Sequence, residues 1–413
     1  DYSYQKSFVI AMTGTEVTAG AFADLDGDGD QDLVLGAGGN EIEKGFSSFA
    51  LKTYTNDGKG NFNFELGRGP QINGFVGCIR PFDFNKDGKM DLFIGGKAVP
   101  GIYGLVPRSF LLRNGGGLMF ADVTTDLTGP LGMVNDAVWT DLNRDGMTDL
   151  VIAGEWMPLT ILYNYNGFLN KKYEIPNSSG WWNTLKAEDL DSDGRPDLVV
   201  GNWGLNMKFN ASPERPMNMY TADFDKNGKP ESIIEWFAPE DNISYPFASK
   251  QDITAQLPAL KKTSLKYQEY AKKQIKDLFD PIILSKAQRK SVTNFKSSIL
   301  WNKGVDNYVL EPLPIEAQLY PITAVFIHDI DHDGNKDLLL GGNFYKLKPE
   351  IGRMDSNWGG YFKGIGNGKF EFIDERKSGL FWRGEVKDIA VIDEKILVGI
   401  NSGQTLGFRL ISK

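Results

Sequence analysis

Six short stretches of this sequence gather oxygen-bearing side chains at one spacing. An acid is followed by acid or amide at the third and fifth places, Gly at the sixth, and an acid at the ninth. The first stretch is Asp24, Asp26, Asp28, Gly29 and Asp32. It returns as Asp83, Asn85, Asp87, Gly88 and Asp91, then as Asp141, Asn143, Asp145, Gly146 and Asp149. The fourth is Asp189, Asp191, Asp193, Gly194 and Asp197. The fifth is looser, with Asp223, Asp225, Asn227, Gly228 and Glu231. The sixth is Asp329, Asp331, Asp333, Gly334 and Asp337. Carboxylates this dense repel one another unless a cation compensates them. A hard cation with oxygen ligands suits the pattern. Side chains at places one, three, five and nine would supply oxygens. The backbone carbonyl at place seven would supply another, from Asp30, Lys89, Met147, Arg195, Lys229 and Asn335. All-oxygen ligation in a flexible loop favours Ca²⁺ over Mg²⁺ or a transition metal, with up to six ions.

The first half of the pattern imitates an EF-hand, which needs a bidentate Glu at place twelve. That place holds Leu35, Ile94, Ile152, Val200, Ile234 and Leu340. None is acidic, so the EF-hand reading fails. Other chemistry is thinly supplied. One cysteine, Cys78, excludes an internal disulfide and a cysteine zinc cage. The two histidines, His328 and His332, flank the sixth stretch and read as a strand residue and a loop residue. No Gly-x-Ser-x-Gly elbow or Gly-Lys-Ser/Thr phosphate loop is present. Glu155 and Glu385 are the remaining candidates for a glycosidase-type carboxylate pair. A net charge of −9 argues against a nucleic-acid partner. No apolar run approaches the ~20 residues of a membrane-spanning helix.

The elements that position these loops read as strands. An apolar run such as Ala324-Val325-Phe326-Ile327 enters each loop, and one such as Leu338-Leu339-Leu340-Gly341 leaves it. Weaker strands follow, as in Phe49-Ala50-Leu51-Lys52-Thr53-Tyr54, the turn Asn56-Asp57-Gly58, and Phe62-Asn63-Phe64. The first aspartates are spaced by 59, 58, 48, 34 and 106 residues. A seventh unit near Val386–Ile392 lacks the acidic loop. Three or four strands per repeat, seven times over, predict an all-β fold: a seven-bladed β-propeller across residues 1–413. Residues 249–295 read as a helical insertion between blades five and six, with Ser264 as a helix cap. Ser7-Phe8-Val9-Ile10 is expected to complete the last blade, because an open sheet edge invites misassociation.

The acidic loops and their Leu-Val-Leu-Gly-type runs resemble FG-GAP/VCBS repeats, the units of integrin-α-like propellers. So do Gly96-Lys97-Ala98-Val99-Pro100-Gly101, Pro107-Arg108-Ser109, Gly154-Glu155-Trp156-Met157-Pro158-Leu159 and Asn177-Ser178-Ser179-Gly180-Trp181-Trp182-Asn183. These stretches are similar to the VCBS/ASPIC-UnbV-type surface proteins of Bacteroidota, related to cartilage acidic protein. The resemblance implies an exported protein at the cell surface or outer membrane, or secreted. It implies no enzyme activity. Its partner would be a protein, such as a SusC/SusD-type outer-membrane complex or another domain of a longer chain.

If the innermost strand of each unit runs into the acidic loop, the face opposite the metal collects the other strand ends. These carry Arg108, Glu155, Trp156, Trp181, Trp182, Asn183, Asn202, Trp203, Asn343 and Tyr345. Aromatic platforms beside amides suit a glycan, a peptide or a protein hot spot. The alternative is a glycan- or peptide-processing enzyme using carboxylates of that face.

Overall fold

The runs that leave the acidic loops are apolar at nearly every position because both of their faces are covered. The computed structural model describes residues 16–39, 49–126, 129–262, 266–349, 351–392 and 395–409. There the runs are the second strands of antiparallel sheets. Sheet one holds β1–β4 (Glu16–Ala23, Asp32–Gly38, Lys52–Asn56, Phe62–Phe64). Sheet two holds β5–β8 (Phe75–Phe82, Asp91–Ala98, Phe110–Asn114, Phe120–Asp122). Sheet three is built on β9–β12 (Met133–Thr140, Asp149–Met157, Thr160–Asn164, Leu169–Glu174), with the short β13 (Gly180–Trp181) added to β10.

Sheet four departs from the expected order. Its first two strands are β14 (Thr184–Glu188) and β15 (Asp197–Gly201), and its last two are β20 (Ser298–Asn302) and β21 (Tyr308–Pro312). Between them the chain builds a separate sheet. This holds β16 (Met217–Ala222), β17 (Glu231–Ala238), β18 (Ile243–Pro246) and β19 (Gln288–Val292), in the order β18-β17-β16-β19. Sheet five holds β22–β25 (Ile322–His328, Asp337–Gly342, Tyr361–Gly364, Phe370–Ile373). Sheet six holds β26–β28 (Val386–Ile392, Lys395–Ile400, Leu406–Arg409).

The expectation of seven consecutive blades is therefore corrected. Among the described residues, six sheets follow one another and a seventh is inserted within the fourth. The fifth acidic loop belongs to that inserted sheet. The excursion is pinched at its base, where the Gly204 N–H donates to the Phe295 carbonyl at 2.8 Å. The Asn202 N–H donates to Ser297 Oγ at 2.9 Å beside it.

The helical reading of 249–295 holds for its first part only. Helices α1–α4 span Lys250–Gln256, Tyr267–Tyr270, Ile275–Leu278 and Pro281–Lys286, and β19 follows. The cap of α1 is Ser249, whose side chain accepts the Asp252 N–H; Ser264 lies outside the described residues. Ile253, Leu257, Leu260, Ile275 and Leu278 of this region pack on Phe224 and Ile233, so the helices cover the inserted sheet. No helix among the described residues is long and apolar enough to cross a membrane.

The core is layered. One apolar cluster lies between each successive pair of the six sheets. The Val34–Ile79–Leu92 layer joins sheets one and two, and the Phe93–Val134–Leu150 layer joins two and three. Later layers centre on Trp182–Leu198–Leu300, Val199–Val325–Leu338 and Leu339–Val386–Val398. First strands pack in sequence, β1 on β5, β5 on β9, β9 on β14, β14 on β22 and β22 on β26. Side chains on both faces of each inner strand thus contribute burial at about 25 cal/mol per Å².

Candidate metal centre

Each acidic loop folds by the same backbone rule. The carboxylate at place one accepts the N–H of the glycine at place six. The distance is 3.0 Å for Asp24 and Gly29, 2.8 Å for Asp83 and Gly88, and 2.9 Å for Asp141 and Gly146. Asp189, Asp223 and Asp329 repeat it at 2.9, 2.8 and 2.9 Å. The place-five side chain accepts the N–H of place seven in every loop: Asp28 from Asp30, Asp87 from Lys89, Asp145 from Met147, Asp193 from Arg195, Asn227 from Lys229 and Asp333 from Asn335. All six glycines have positive φ, between 82° and 96°. An added Cβ would meet nothing at Gly88, Gly146, Gly228 or Gly334. The backbone angle, not space, demands glycine there.

Place four is also left-handed, which the sequence reading missed. Lys86, Arg144, Ser192, Lys226 and His332 stand there with φ near 60°. Their varied side chains give no sequence signal. His332 is therefore a turn residue.

The acid at place nine has a different station. Asp32, Asp91, Asp149 and Asp337 are fully buried, and Asp197 nearly so. Each ties the loop to its sheet. Asp149 accepts the Leu142 N–H at 3.1 Å on one oxygen and the Asn164 N–H at 2.9 Å on the other. Asp197 does the same with Leu190 and Asn302, and Asp32 with Leu25 and Asn56. Burial pushes the Asp91, Asp149 and Asp197 carboxyls up to about 6, and raises Asp337 and Glu231 by the same cause.

Whether these loops fit a hard cation can be judged from their oxygens. Carboxylate oxygens of Asp24, Asp26 and Asp32 lie within 4.8 Å of one another. So do those of Asp189, Asp191 and Asp197, of Asp223, Asp225 and Glu231, and of Asp329, Asp331 and Asp333. In the second and third loops, Asp91 Oδ2 and Asp141 Oδ1 are buried with no hydrogen-bond partner. Orphaned acceptors in an all-oxygen cradle fit an oxygen-seeking cation. Lysines stand beside two loops: Lys303 pairs with Asp191 at 2.9 Å, and Lys363 pairs with Asp331 and with Asp333 at 2.8 Å.

A further residue went unnoticed in the sequence, where Asn56-Asp57-Gly58 suggested only a turn. Asn114, Asn164 and Asn302 occupy the corresponding place at the end of the third strand. Each sends its side-chain amide into the loop of the preceding sheet. Asn114 Nδ2 donates to the Leu25 carbonyl at 2.9 Å, Asn164 Nδ2 to Phe84 at 2.8 Å, and Asn302 Nδ2 to Leu142 at 2.9 Å. The recurring Asn, each followed within three residues by Gly, was the available signal.

The opposite rim is only partly as expected. Trp182 has no exposed surface; it packs with Tyr163 and Leu185, and its indole N–H donates to the Ser178 carbonyl at 2.8 Å. Asn202 and Asn343 are also fully buried and hydrogen-bonded to backbone. These three are core, because strand ends here turn inward between sheets. Trp156 and Trp181 are buried in an edge-to-face cluster with Trp203, Phe209 and Phe295 that seats the inserted sheet.

Glu155 remains half-buried, accepting the Tyr103 hydroxyl at 2.6 Å; Asn183 donates to the Ile322 carbonyl at 3.1 Å. Tyr345 bonds Asp355 at 2.7 Å under the Arg353 guanidinium. Arg108 pairs with Asp122 at 2.6 Å and borders a cleft of about 460 Å³. Glu385 is held by the Tyr345 N–H and the Asn401 amide.

The FG-GAP-like repeat family model matches residues 24–94 and 141–200, which contain the first four acidic loops. Among solved structures, the chain is similar to the V. cholerae biofilm matrix protein Bap1, at 12% identity and a TM-score of 0.36. That match covers 93% of this chain and 74% of the other. No curated protein matches the sequence. The chain thus carries FG-GAP-like repeats on an all-β fold that fits the β-propeller class.

Proposed function

We propose that this chain is a calcium-stabilised, non-enzymatic binding or scaffold module that works outside the cell. The observation that carries the reading is the identical loop fold, repeated six times, with orphaned carboxylate oxygens in the second and third copies. Asp, Asn and Glu side chains at places one, three, five and nine hold the ion. Its chemistry is charge compensation, which fixes each loop. Affinities of roughly 10⁻⁴–10⁻³ M suit a calcium-rich exterior. Export, with surface or outer-membrane association, belongs to the same proposal.

The recognising surface is the rim around Glu155, Asn183, Trp203, Tyr345 and Arg108. The partner is a protein, for which a SusC/SusD-type complex or another domain of a longer chain is a candidate, or a glycan. A glycan and peptide array probed with calcium-loaded protein tests this. Wild type is expected to be retained, Trp203→Ala to be retained less, and no probe to be turned over. Turnover abolished by Glu155→Gln would replace the binding reading with the enzyme one.

The six-sheet series is proposed to close into a ring between sheets six and one. The Lys387 ammonium feels the Glu16 carboxylate across that seam. Exposed Val17, Phe22 and Ile392 lie on the strands that flank it. Residues 7–10, expected to close the last sheet, lie outside the described residues. Deleting residues 1–10 should lower the melting temperature and promote aggregation; an unchanged melt would place the closure elsewhere.

A further inference from the structure

The acidic loops are not independent. In the first and third loops the second residue, Leu25 or Leu142, uses both of its backbone groups. Leu142 donates its N–H to Asp149 of its own loop and offers its carbonyl to Asn302 of the next sheet. Asn302 in turn donates its backbone N–H to Asp197 at 2.9 Å, and Asp197 accepts the Leu190 N–H of the fourth loop. The same path joins the first loop to the second through Leu25, Asn114 and Asp91. It joins the second to the third through Phe84, Asn164 and Asp149. A belt of hydrogen bonds thus links the first four loops from Asp32 to Leu190, interrupted within the second loop, where Asp91 Oδ2 has no partner.

The belt ends at sheet five. Gly364 stands where the asparagines stand, and its N–H donates to Asp337 at 2.7 Å. A Cβ there would lie 2.2 Å from the Lys336 carbonyl oxygen, so no side chain can reach back to Leu190. The sixth loop keeps its own internal bonds and lacks the link. The fifth loop sits in the inserted sheet.

We infer that Asn114, Asn164 and Asn302 are positioning residues that couple neighbouring loops, so that ions fill the first four loops cooperatively while the sixth fills alone. This rests on the calcium reading of the loops. Ordering one loop fixes the carbonyl that the next sheet's asparagine grips, and that asparagine's backbone N–H fixes the next buried aspartate. The coupling operates only through groups with two arrangements, ordered and frayed.

The test uses the full chain and calcium alone as the probe. Hydrogen exchange is followed during a calcium titration at the Asp193–Arg195 amides of loop four and at Asn335 of loop six. Asp145→Asn weakens ion binding in loop three while keeping an oxygen for the Met147 N–H. It should raise the calcium needed to protect loop four by roughly fivefold or more and leave loop six unmoved. In an Asn302→Ala background, the same change should no longer shift loop four. If Asn302→Ala does not fold, the comparison of loops four and six in Asp145→Asn still decides. Equal shifts at both loops, or none at either, would overturn the coupling. Absence of any calcium protection in wild type would instead sink the ion reading itself.

Discussion

Stripping divalent ions at neutral pH lowers the melting temperature by on the order of 10 °C, and millimolar calcium restores it. Calcium at about 10 mM lies ten- to a hundredfold above a Kd of roughly 10⁻³–10⁻⁴ M and contributes about 1.4–2.7 kcal/mol per site. Six loops sum to roughly 8 kcal/mol or more, which a chain of this length registers as that shift. The pH dependence supplies a second signature. Asp91, Asp149 and Asp197 titrate near 6 in the folded chain, against about 3.9 unfolded. The ion-free fold therefore binds more protons than the unfolded chain between those values. Its stability is greatest below about pH 4 as far as these groups decide, and falls as pH rises through 6. Calcium should oppose that fall, because it offsets the carboxylate charge that burial penalises. Melting curves at pH 5 and pH 7.5, with chelator and with calcium, check both signs. An ion-free protein equally stable at both pH values, and indifferent to calcium, would refute the account of the loops.

Trp182→Ala should cost about 3–5 kcal/mol, with a cavity opened between sheets three and four. The side chain is among the largest with no exposed surface, and its indole N–H is satisfied by Ser178. Trp203→Ala should cost clearly less, since Trp203 is half-buried and its N–H has no partner. Denaturant midpoints measured on both variants decide the point. Comparable losses would mean that Trp203 is as much core as Trp182, and the rim proposed for recognition would lose its aromatic member.

The acidic loops were legible because their chemistry is local. Acids, amides and a glycine at five fixed places dictate one turn, and Gly88 or Gly334 marks its sharpest angle regardless of what surrounds it. The strands on either side were legible for the same reason, through alternation and burial. Sheet order was not, because pairing is non-local. Asp189 and Asp223 are separated by 34 residues, too few for the four strands that the first three units use. That shortfall, with the long gap before Asp329, was the trace of an insertion that opens between β15 and β20. Local pattern recognised the fifth loop and could not say which sheet owned it. The rim failed for a related reason: Trp182 and Trp203 are near neighbours in similar company, and only packing between sheets separates a core indole from a surface one. Asn302 was silent because its partner, Leu142, lies 160 residues away.

The pinch at Gly204 and Phe295 bears on where this chain could be re-engineered. The segment leaves and re-enters the scaffold beside one hydrogen-bonded pair while the host strands β15 and β20 pair directly, and it is tied to the host again where Leu205 and Asn206 donate to Gln318 and where Thr293 and Asn294 donate to Ser179. The inserted sheet carries its own acidic loop and its own helical cover. The same point is a graft site: a foreign domain whose termini lie close together could be spliced between Gly204 and Phe295 without disturbing the six-sheet series, provided it also shields the indoles of Trp156 and Trp181.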